Sequence, residues 1–205
     1  MKTKTLAISD PNALAQAIDI LTSGGLVSFP TDTVYGLGAL VFDEEAIANI
    51  YEVRAIRDDE MLPILLADFE QLDRIVMGMS SLCEKLAHRF WPGPLTLMLP
   101  RHTSISEAVT PHPTIGVRIP DFEPTRDLLR LTGPLAVSAA NYGTQANPRS
   151  AQDVEAQLGG RIALILDGGV TPGGIPSTVV DCTQGQPLIM REGPITMEQI
   201  LNALA

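Results

Sequence analysis

Short apolar runs alternate along the chain with longer segments in which apolar residues recur every three or four positions. The short runs are rich in branched side chains, which is typical of buried strands. The predicted strands lie at residues 26–29, 62–68, 95–100, 114–120, 135–141, 161–169, 176–183 and 187–193. The longer segments predict amphipathic helices. The predicted helices lie at residues 11–23, 44–56, 69–79, 80–91, 123–133, 151–158 and 197–204.

Capping and turn residues predict where these elements begin and end. Asp10 is expected to cap the first helix, with Pro11 in its first turn, and Asp43 and Thr196 to cap the second and the last. Turn residues at 184–186 predict that the last two strands form an antiparallel hairpin. The remaining alternation of strands and helices predicts an α/β fold, an open twisted mixed sheet of parallel and antiparallel strands with flanking helices. A single domain over residues 1–205 is expected, since no repeat or linker interrupts the pattern.

The amino-acid composition indicates the cellular environment in which the protein is expected to act. Hydrophobic residues make up 45% of the 205 residues and charged residues 19%, as in ordinary globular proteins. No apolar run approaches the ~20 residues of a membrane span, and the N-terminus lacks the apolar stretch of a secretory signal. Cys83 and Cys182 fit no metal-ligand spacing and are expected to be free, buried thiols. These features predict a cytoplasmic protein that does not contact a membrane.

The charge balance limits the partners that the chain is expected to bind. The formal net charge is −10, with 14 basic and 24 acidic residues. Proteins that hold long nucleic acids need a basic surface, because phosphate neutralisation supplies most of the affinity. The balance therefore argues against binding of bulk RNA or DNA. It leaves open a local basic pocket for one nucleotide.

Polar side chains cluster where predicted strands end. Such ends are where open α/β sheets collect their ligands, and hydroxyls next to glycines let a small polar or anionic ligand approach the backbone. The three clusters lie at residues 31–33, 138–141 and 176–178. Ordinary turn chemistry would account for the first cluster equally well.

Two arginines, Arg118 and Arg191, interrupt otherwise apolar predicted strands. A buried guanidinium needs an anionic partner, because an unpaired buried charge is costly. Two sources are open at this point. One is an internal carboxylate, with Asp32, Asp121 and Asp181 as the candidates, and the other is the carboxylate or phosphate of a ligand.

Six segments of the chain resemble one known family in order and nearly in spacing. They are SFPTDTVYGLG, WPGPLTLML, TIGVRIPD, GPLAVSAAN, PSTVVD and IMREGPI. These segments are similar to those of the YrdC/YciO family, the L-threonylcarbamoyladenylate synthases. The resemblance implies the YrdC-like form of the mixed sheet, with a concave ligand cavity.

The resemblance also implies a nucleotidyltransferase activity and its partners. In the similar enzymes L-threonine, bicarbonate and ATP condense to threonylcarbamoyl-AMP and pyrophosphate, and the product serves formation of N6-threonylcarbamoyladenosine at position 37 of tRNA. ATP would be a substrate, Mg²⁺ would assist, and no tightly bound cofactor is expected. Other proteins of that pathway would be partners, tRNA only an indirect or weak one. A monomer or homodimer is expected, without the additional C-terminal domain of longer members.

Site residues follow from the same resemblance. Catalysis would rest on positioning and electrostatics, with no protein nucleophile and no metal ligands assigned. The residues implied for L-threonine are Thr31, Thr33, Arg118 and Ser177. Those implied for the nucleotide are Arg54, Arg57, Thr114, Ser138, Asn141 and Arg191.

Two stretches depart from the family pattern. Arg54 occupies the position of the family's lysine, but Ile56 stands where its arginine is usual, and acidic Asp58, Asp59 and Glu60 follow. Arg57 is one residue away, which on a helix turns the side chain by ~100°. Like-charge contacts with a triphosphate would cost about 1 kcal/mol or more each, unless Mg²⁺ intervenes.

The second departure is Ala139, which replaces the serine that faces the nucleotide in the family. Ser138 is adjacent, but in a strand its side chain should point to the opposite face. Three functions therefore stay open. The leading one is a synthase with an altered triphosphate cradle. The alternatives are a YciO-like paralogue with weak or no synthase activity that binds a nucleotide or acts on modified RNA, and a non-catalytic nucleotide- or RNA-binding module.

Overall fold

The computed structural model describes residues 2–57 and 60–205. Asp58 and Asp59, which belong to the predicted acidic stretch, lie outside the described residues. The strands are β1 (Lys4–Ala7), β2 (Val27–Phe29), β3 (Gly36–Leu40), β4 (Ile64–Leu65), β5 (Leu95–Pro100), β6 (Thr114–Arg118), β7 (Leu135–Ala139), β8 (Leu164–Asp167), β9 (Thr178–Asp181) and β10 (Leu188–Arg191). The helices are α1 (Ala13–Thr22), α2 (Glu44–Arg54), α3 (Ser81–Phe90), α4 (Glu123–Thr132), α5 (Ala151–Leu158) and α6 (Met197–Leu204), and a 3₁₀ helix spans Phe69–Arg74.

Within the described residues, ten strands form one sheet in the order β1-β8-β2-β3-β7-β4-β6-β5-β9-β10. Strand pairs β1/β8, β2/β8, β4/β6 and β5/β9 are parallel. Pairs β2/β3, β3/β7, β4/β7, β5/β6 and β9/β10 are antiparallel. The predicted mixed sheet is therefore confirmed, including the hairpin of β9 and β10.

Helices cover both faces of the sheet. Along β8, Leu164 and Leu166 belong to the apolar cluster with α1 and α4, whereas Ile165 between them belongs to the cluster with α2, α3, α5 and α6. Successive side chains of a strand point to opposite faces, so one strand contributes to two cores. This burial on both faces explains why the strands are continuous apolar runs rather than alternating ones.

Most predicted element boundaries agree with the structure, but the start of α1 does not. The helix begins at Ala13, and the Asp10 carboxylate accepts a hydrogen bond from the backbone N–H of Asn12. That local turn around Pro11 competes with helix capping. The predicted cap at Asp10 is therefore wrong.

The other predicted caps are confirmed. The side chain of Asp43 accepts from Ala46 N, and Thr196 forms a reciprocal capping box with Gln199. The helix predicted at 69–79 is shorter, a 3₁₀ helix that ends at Arg74.

Strand β1 was not predicted from the pattern, because its side chains are mostly exposed and carry no apolar alternation. Its pairing with β8, far away in sequence, brings it into the sheet. Within residues 2–57 and 60–205, no helix is long and apolar enough to traverse a lipid bilayer.

Candidate active site

A cavity of about 310 Å³ lies next to β3, β4, β5, β6 and β7, each of which contributes lining residues. Leu65 and Val137 line it and also belong to the apolar cluster with α1 and α4. A side chain at Gly36 would meet Val137 Cγ1 at 2.8 Å, so glycine there keeps space open next to the cavity floor. The polar lining residues are Thr31, Thr33, Arg54, Glu60, Thr96, Arg118, Ser138, Asn141, Asn147, Ser177 and Arg191.

The first group of polar residues, which we call the Arg118 cluster, consists of Arg118, Asp32, Thr31 and Thr33. Thr31 and Thr33 follow β2, and their hydroxyl oxygens lie 2.9 Å apart. Arg118, at the end of β6, donates from Nη1 to Thr33 Oγ1 (2.9 Å) and from Nη2 to the Asp32 carboxylate. Its Nε donates to Gly93 O at 2.9 Å. The internal source of a partner for Arg118 is thus present, and it is Asp32.

The geometry of the Arg118 cluster is fixed by backbone contacts as well. Thr31 Oγ1 donates to Val34 O at 2.7 Å and accepts from the N–H of Thr33 at 3.1 Å. The Asp32 carboxylate also accepts from Asp121 N at 3.1 Å. Burial lowers the pKa of Arg118, and the nearby Asp32 charge opposes that change.

The second group, the Arg54 cluster, consists of Arg54, Ser138 and Asn141. Arg54 is the last residue of α2 and is buried. Its Nε donates to Asn141 O (3.0 Å), its Nη2 to Asn141 Oδ1 (2.6 Å) and its Nη1 to Ser138 Oγ. Asn141 is held in turn, because its Nδ2 donates to Gly143 O and Gln145 O. Among the residues that the structure describes, Arg54 has no carboxylate partner within ion-pair distance.

Ser138 and Ala139 are adjacent in β7 and point to opposite faces of the sheet. Ser138 pairs with Leu37 across β7 and β3, and Leu37 belongs to the apolar cluster that contains α2. The Ser138 hydroxyl therefore reaches the end of α2, where it accepts from Arg54, while Ala139 takes the opposite face. Both residues line the cavity.

The third group, the Arg191 cluster, consists of Arg191, Ser177 and Thr96. Arg191 ends β10 and donates from Nε and Nη2 to Ser177 O at 3.2 and 3.0 Å, and from Nη2 to Ser177 Oγ at 3.2 Å. The Ser177 hydroxyl lies 2.8 Å from Thr96 Oγ1 on β5. In the described part of the chain Arg191 also lacks a carboxylate partner.

Desolvation lowers the pKa of both arginines that lack such a partner, whereas nearby charges act on them in opposite directions. Burial lowers the pKa of Arg191, and the positive charge of Arg118 lowers it further. Burial also lowers the pKa of Arg54, and the negative charge of Glu60 opposes that change. Within the described residues, Arg54, which is buried, and Arg191, which is exposed, donate only to neutral oxygens. The two cations form a site for an anion, because guanidinium groups bind carboxylate and phosphate in charge-assisted pairs.

Eight of the ten predicted ligand-binding residues line this one cavity. They are Thr31, Thr33, Arg54, Arg118, Ser138, Asn141, Ser177 and Arg191. The other two are not among the described residues that line it. Thr114 begins β6, four positions before Arg118, and pairs with Pro100. Arg57 follows α2 and is exposed, and its backbone O accepts from Glu60 N at 3.3 Å.

Some polar residues that line the cavity were not predicted from the sequence. Thr96 is a polar residue within the apolar run of β5, which is the same signal that identified Arg118. Asn147 lies in a loop and gave no such signal. Ile56, at the position of the family's arginine, is half-buried and packs against the apolar core. Glu60 lines the cavity.

The side chains of the described residues do not by themselves form a metal site. Within residues 2–57 and 60–205, no three His, Cys, Asp or Glu side chains come together as a metal site. Mg²⁺ in nucleotide sites is commonly held by one or two carboxylates together with phosphate oxygens. Glu60 is the carboxylate residue among those that line the cavity in the described chain.

Comparison with known proteins places the chain in context. The family model Sua5_yciO_yrdC, described as "Telomere recombination", matches residues 19–193. The threonylcarbamoyl-AMP synthase of Pyrococcus abyssi is 40% identical over 186 residues, which are 90% of this chain and 55% of that protein. The threonylcarbamoyl-AMP synthase of Bacillus subtilis is 40% identical over 201 residues, 97% of this chain and 58% of that protein. The chain thus spans little more than half the length of these relatives.

Solved structures agree with this match. P. abyssi Sua5 complexed with L-threonine superposes with a TM-score of 0.90 at 39% identity, over 93% of this chain and 57% of that one. YciO of E. coli superposes with a TM-score of 0.85 at 23% identity, over 97% of this chain and 99% of that one, and shows the shared fold. The matched segments, the fold and the extent of the identity lead to one conclusion: the chain belongs to the Sua5/YciO/YrdC family.

Proposed function

We propose that the chain is an L-threonylcarbamoyladenylate synthase. It condenses L-threonine, bicarbonate and ATP to threonylcarbamoyl-AMP and pyrophosphate, for formation of N6-threonylcarbamoyladenosine at position 37 of tRNA. One observation carries the proposal: three guanidinium groups line the cavity, those of Arg54 and Arg118 are buried, and within the described residues Arg54 and Arg191 contact only neutral oxygens. A ligand with one carboxylate and a phosphate chain matches that arrangement.

The roles of the residues follow the three clusters. Thr31, Thr33, Arg118 and Ser177 hold the threonine moiety, and the Arg118 fork recognises its carboxylate. P. abyssi Sua5, whose structure with L-threonine is known, supports this part. The Asp32 pairing of Arg118 leaves the guanidinium in a fixed orientation, so that the ligand meets a positioned donor group.

The nucleotide is held on the other two clusters. Arg54, Ser138, Asn141 and Arg191 line its path, whereas the roles of Thr114 and Arg57 stay predictions. Threonine and bicarbonate give a carbamate with loss of water, and the carbamate oxygen attacks the α-phosphorus while pyrophosphate leaves. The arginines stabilise negative charge that develops on the phosphorus oxygens, and no side chain forms a bond to the substrate. Mg²⁺ would offset the charge of the phosphate chain.

The pathway and cellular setting are part of the proposal. Other proteins of the tRNA-modification pathway complete the transfer, and tRNA is contacted weakly or indirectly, in keeping with the net charge of −10. The protein acts in the cytoplasm as a single domain, as a monomer or homodimer.

A second candidate is a YciO-like paralogue with weak or no synthase activity. Ile56 in the place of the family's arginine and the acidic Glu60 in the cavity favour it. Such a protein would bind a nucleotide or act on modified RNA. A non-catalytic nucleotide- or RNA-binding module is the third candidate, and the acidic balance argues against its RNA form.

Pyrophosphate release distinguishes these functions. The purified chain is given ATP, Mg²⁺ and bicarbonate, with and without L-threonine, and we expect release that depends on threonine and on bicarbonate. Arg191→Ala should abolish most of it, and Arg89→Ala, an exposed arginine of α3, is the matched control. Nucleotide binding without threonine-dependent release would support the YciO-like alternative. Tight binding of a long RNA at low salt would support the third candidate.

A further inference from the structure

The backbone of Glu60 is held in place although this residue belongs to no helix or strand. The hydroxyl of Tyr51, a buried residue of α2, donates to Glu60 O at 2.9 Å. The Glu60 N–H donates to Arg57 O at 3.3 Å. Both backbone groups of Glu60 are therefore held, the residue lines the cavity, and its negative charge acts on Arg54.

The charges of the described cavity are few and nearly balanced. Arg54, Arg118 and Arg191 contribute three positive charges, while Asp32 and Glu60 contribute two negative ones. The small positive excess suits a ligand with few negative charges. A nucleoside monophosphate carries about two negative charges, and a metal-free triphosphate carries about twice as many.

Arg54 cannot move to compensate for a longer phosphate chain. Asn141 accepts from two of its nitrogens and Ser138 from the third, so the guanidinium is fixed at the end of α2. Ile56 is packed against the apolar core and offers no charge. The added negative charge of a triphosphate near this wall would face the Glu60 carboxylate, while Arg54 stays in its fixed position.

We propose that Glu60 is a specificity-determining residue that makes the cavity bind nucleoside monophosphates, and esters of similar charge such as acyl-adenylates, in preference to metal-free triphosphates. The inference rests on the proposed nucleotide site and adds the class of phosphate that the site prefers. Repulsion by a carboxylate at the cavity wall acts most strongly on the ligand with the most negative charge. ATP would then bind well only when a divalent cation has reduced its charge.

Titration calorimetry with AMP and with ATP tests this proposal. Wild type, Glu60→Gln and Glu52→Gln are compared in EDTA at one ionic strength, and circular dichroism checks that each is folded. Glu52 is an exposed residue of α2 that does not line the cavity, so its substitution is a matched change of charge. We expect Glu60→Gln to raise the affinity for ATP about tenfold and that for AMP by less than about threefold. Glu52→Gln should change neither.

Excess Mg²⁺ supplies a second arm of the same experiment. Since the cation reduces the charge of ATP, the difference in ATP affinity between wild type and Glu60→Gln should shrink to less than about threefold or reverse. An unchanged tenfold difference would contradict the proposal.

Two further outcomes overturn the inference in distinguishable ways. If nucleotides bind but Glu60→Gln leaves the ratio of the two affinities unchanged, the specificity role of Glu60 is wrong and the nucleotide site stands. If neither AMP nor ATP binds to wild type or to either variant, the nucleotide site of the proposed function fails together with the inference.

Discussion

Arg118 and Arg54 are both buried arginines at the end of a secondary-structure element, yet their surroundings differ. Arg118 contacts the Asp32 carboxylate, a threonine hydroxyl and a backbone carbonyl. Arg54 contacts a serine hydroxyl and the two oxygens of one asparagine residue. In the described chain Arg191 resembles Arg54 in these contacts, because its donors meet only the oxygens of Ser177, but Arg191 is exposed.

This difference distinguishes an arginine that stabilises the fold from an arginine that is available to bind a ligand. An arginine with an internal carboxylate is part of the folded structure, since removing either partner leaves an uncompensated charge. An arginine that donates to neutral oxygens has a fixed orientation, but its positive charge is not compensated. An anionic ligand that binds there therefore gains the full electrostatic attraction of that charge. We therefore expect substitutions in the Arg118 cluster to affect folding first. Substitutions in the other two clusters should affect binding first.

The largest effect is expected from Arg118→Ala. The substitution leaves Asp32 without its cation in a nearly buried site, which should lower the free energy of unfolding by about 3–5 kcal/mol. Urea denaturation followed by circular dichroism measures this change. Binding of L-threonine should also weaken, and a folded fraction at low temperature allows that measurement.

Arg130→Ala is the control for this prediction. Arg130 contacts three carboxylates, those of Asp68, Glu123 and Asp127, but it is about one-third exposed. Partly exposed ion pairs contribute up to about 1 kcal/mol, so the control should lose less stability. Equal losses in both variants would remove the distinction between the two kinds of arginine.

Tyr35 provides a pH-dependent test of the loop that contacts Thr33 of the Arg118 cluster. Its hydroxyl donates to Gly169 O at 2.7 Å and accepts from Gly168 N at 3.1 Å, which fixes the loop whose Gly174 N donates to Thr33 O. Burial, together with the negative charge of Asp167, raises the pKa of Tyr35 to about 12. The folded state therefore favours the neutral phenol.

The sign of the pH effect follows from that shift. The stability that the neutral phenol contributes is complete below its ordinary pKa of about 10 and is lost as the pH rises towards 12. The loss should reach about 2–3 kcal/mol in wild type. Tyr35→Phe should show a smaller loss over that interval in urea titrations at pH 9.5 and 11.5. Parallel losses in the two proteins would contradict the assignment.

Arg118 and Arg191 could be predicted from the sequence because a charge within an apolar run is a strong local signal, whereas Arg54 was implied by the family resemblance. The partner of each arginine could not be predicted. Asp32, Asp121 and Asp181 were all possible partners of Arg118, and the choice of Asp32 depends on the path of the chain between β2 and β6. Thr96 shows the same limit, because its contact with Ser177 requires that β5 pair with β9.

The elements of the fold also differ in whether the local sequence could predict them. Helix α5 (Ala151–Leu158) and the cap at Asp43 were predictable, because a local apolar period and one capping side chain determine them. Strand β1 was not, since exposed residues form it and a distant partner stabilises it. The cap at Asp10 was predicted wrongly, because a turn within the same few residues uses the carboxylate.

The smallest effect is expected from Arg191→Ala, and it should appear in binding rather than in stability. Losing a charged donor pair to a phosphate should weaken AMP binding about 30-fold, or about 2 kcal/mol. The free energy of unfolding should change by no more than about 1 kcal/mol. The substitution removes hydrogen bonds to the neutral oxygens of Ser177, which contribute little, and it also removes the charge repulsion with Arg118. Calorimetry and urea denaturation of the same preparation measure the two quantities. Arg191→Lys keeps the charge without the planar fork, so it should restore only part of the affinity. A loss of stability as large as that of Arg118→Ala, with AMP affinity unchanged, would show that Arg191 belongs to the folded framework and not to the anion site.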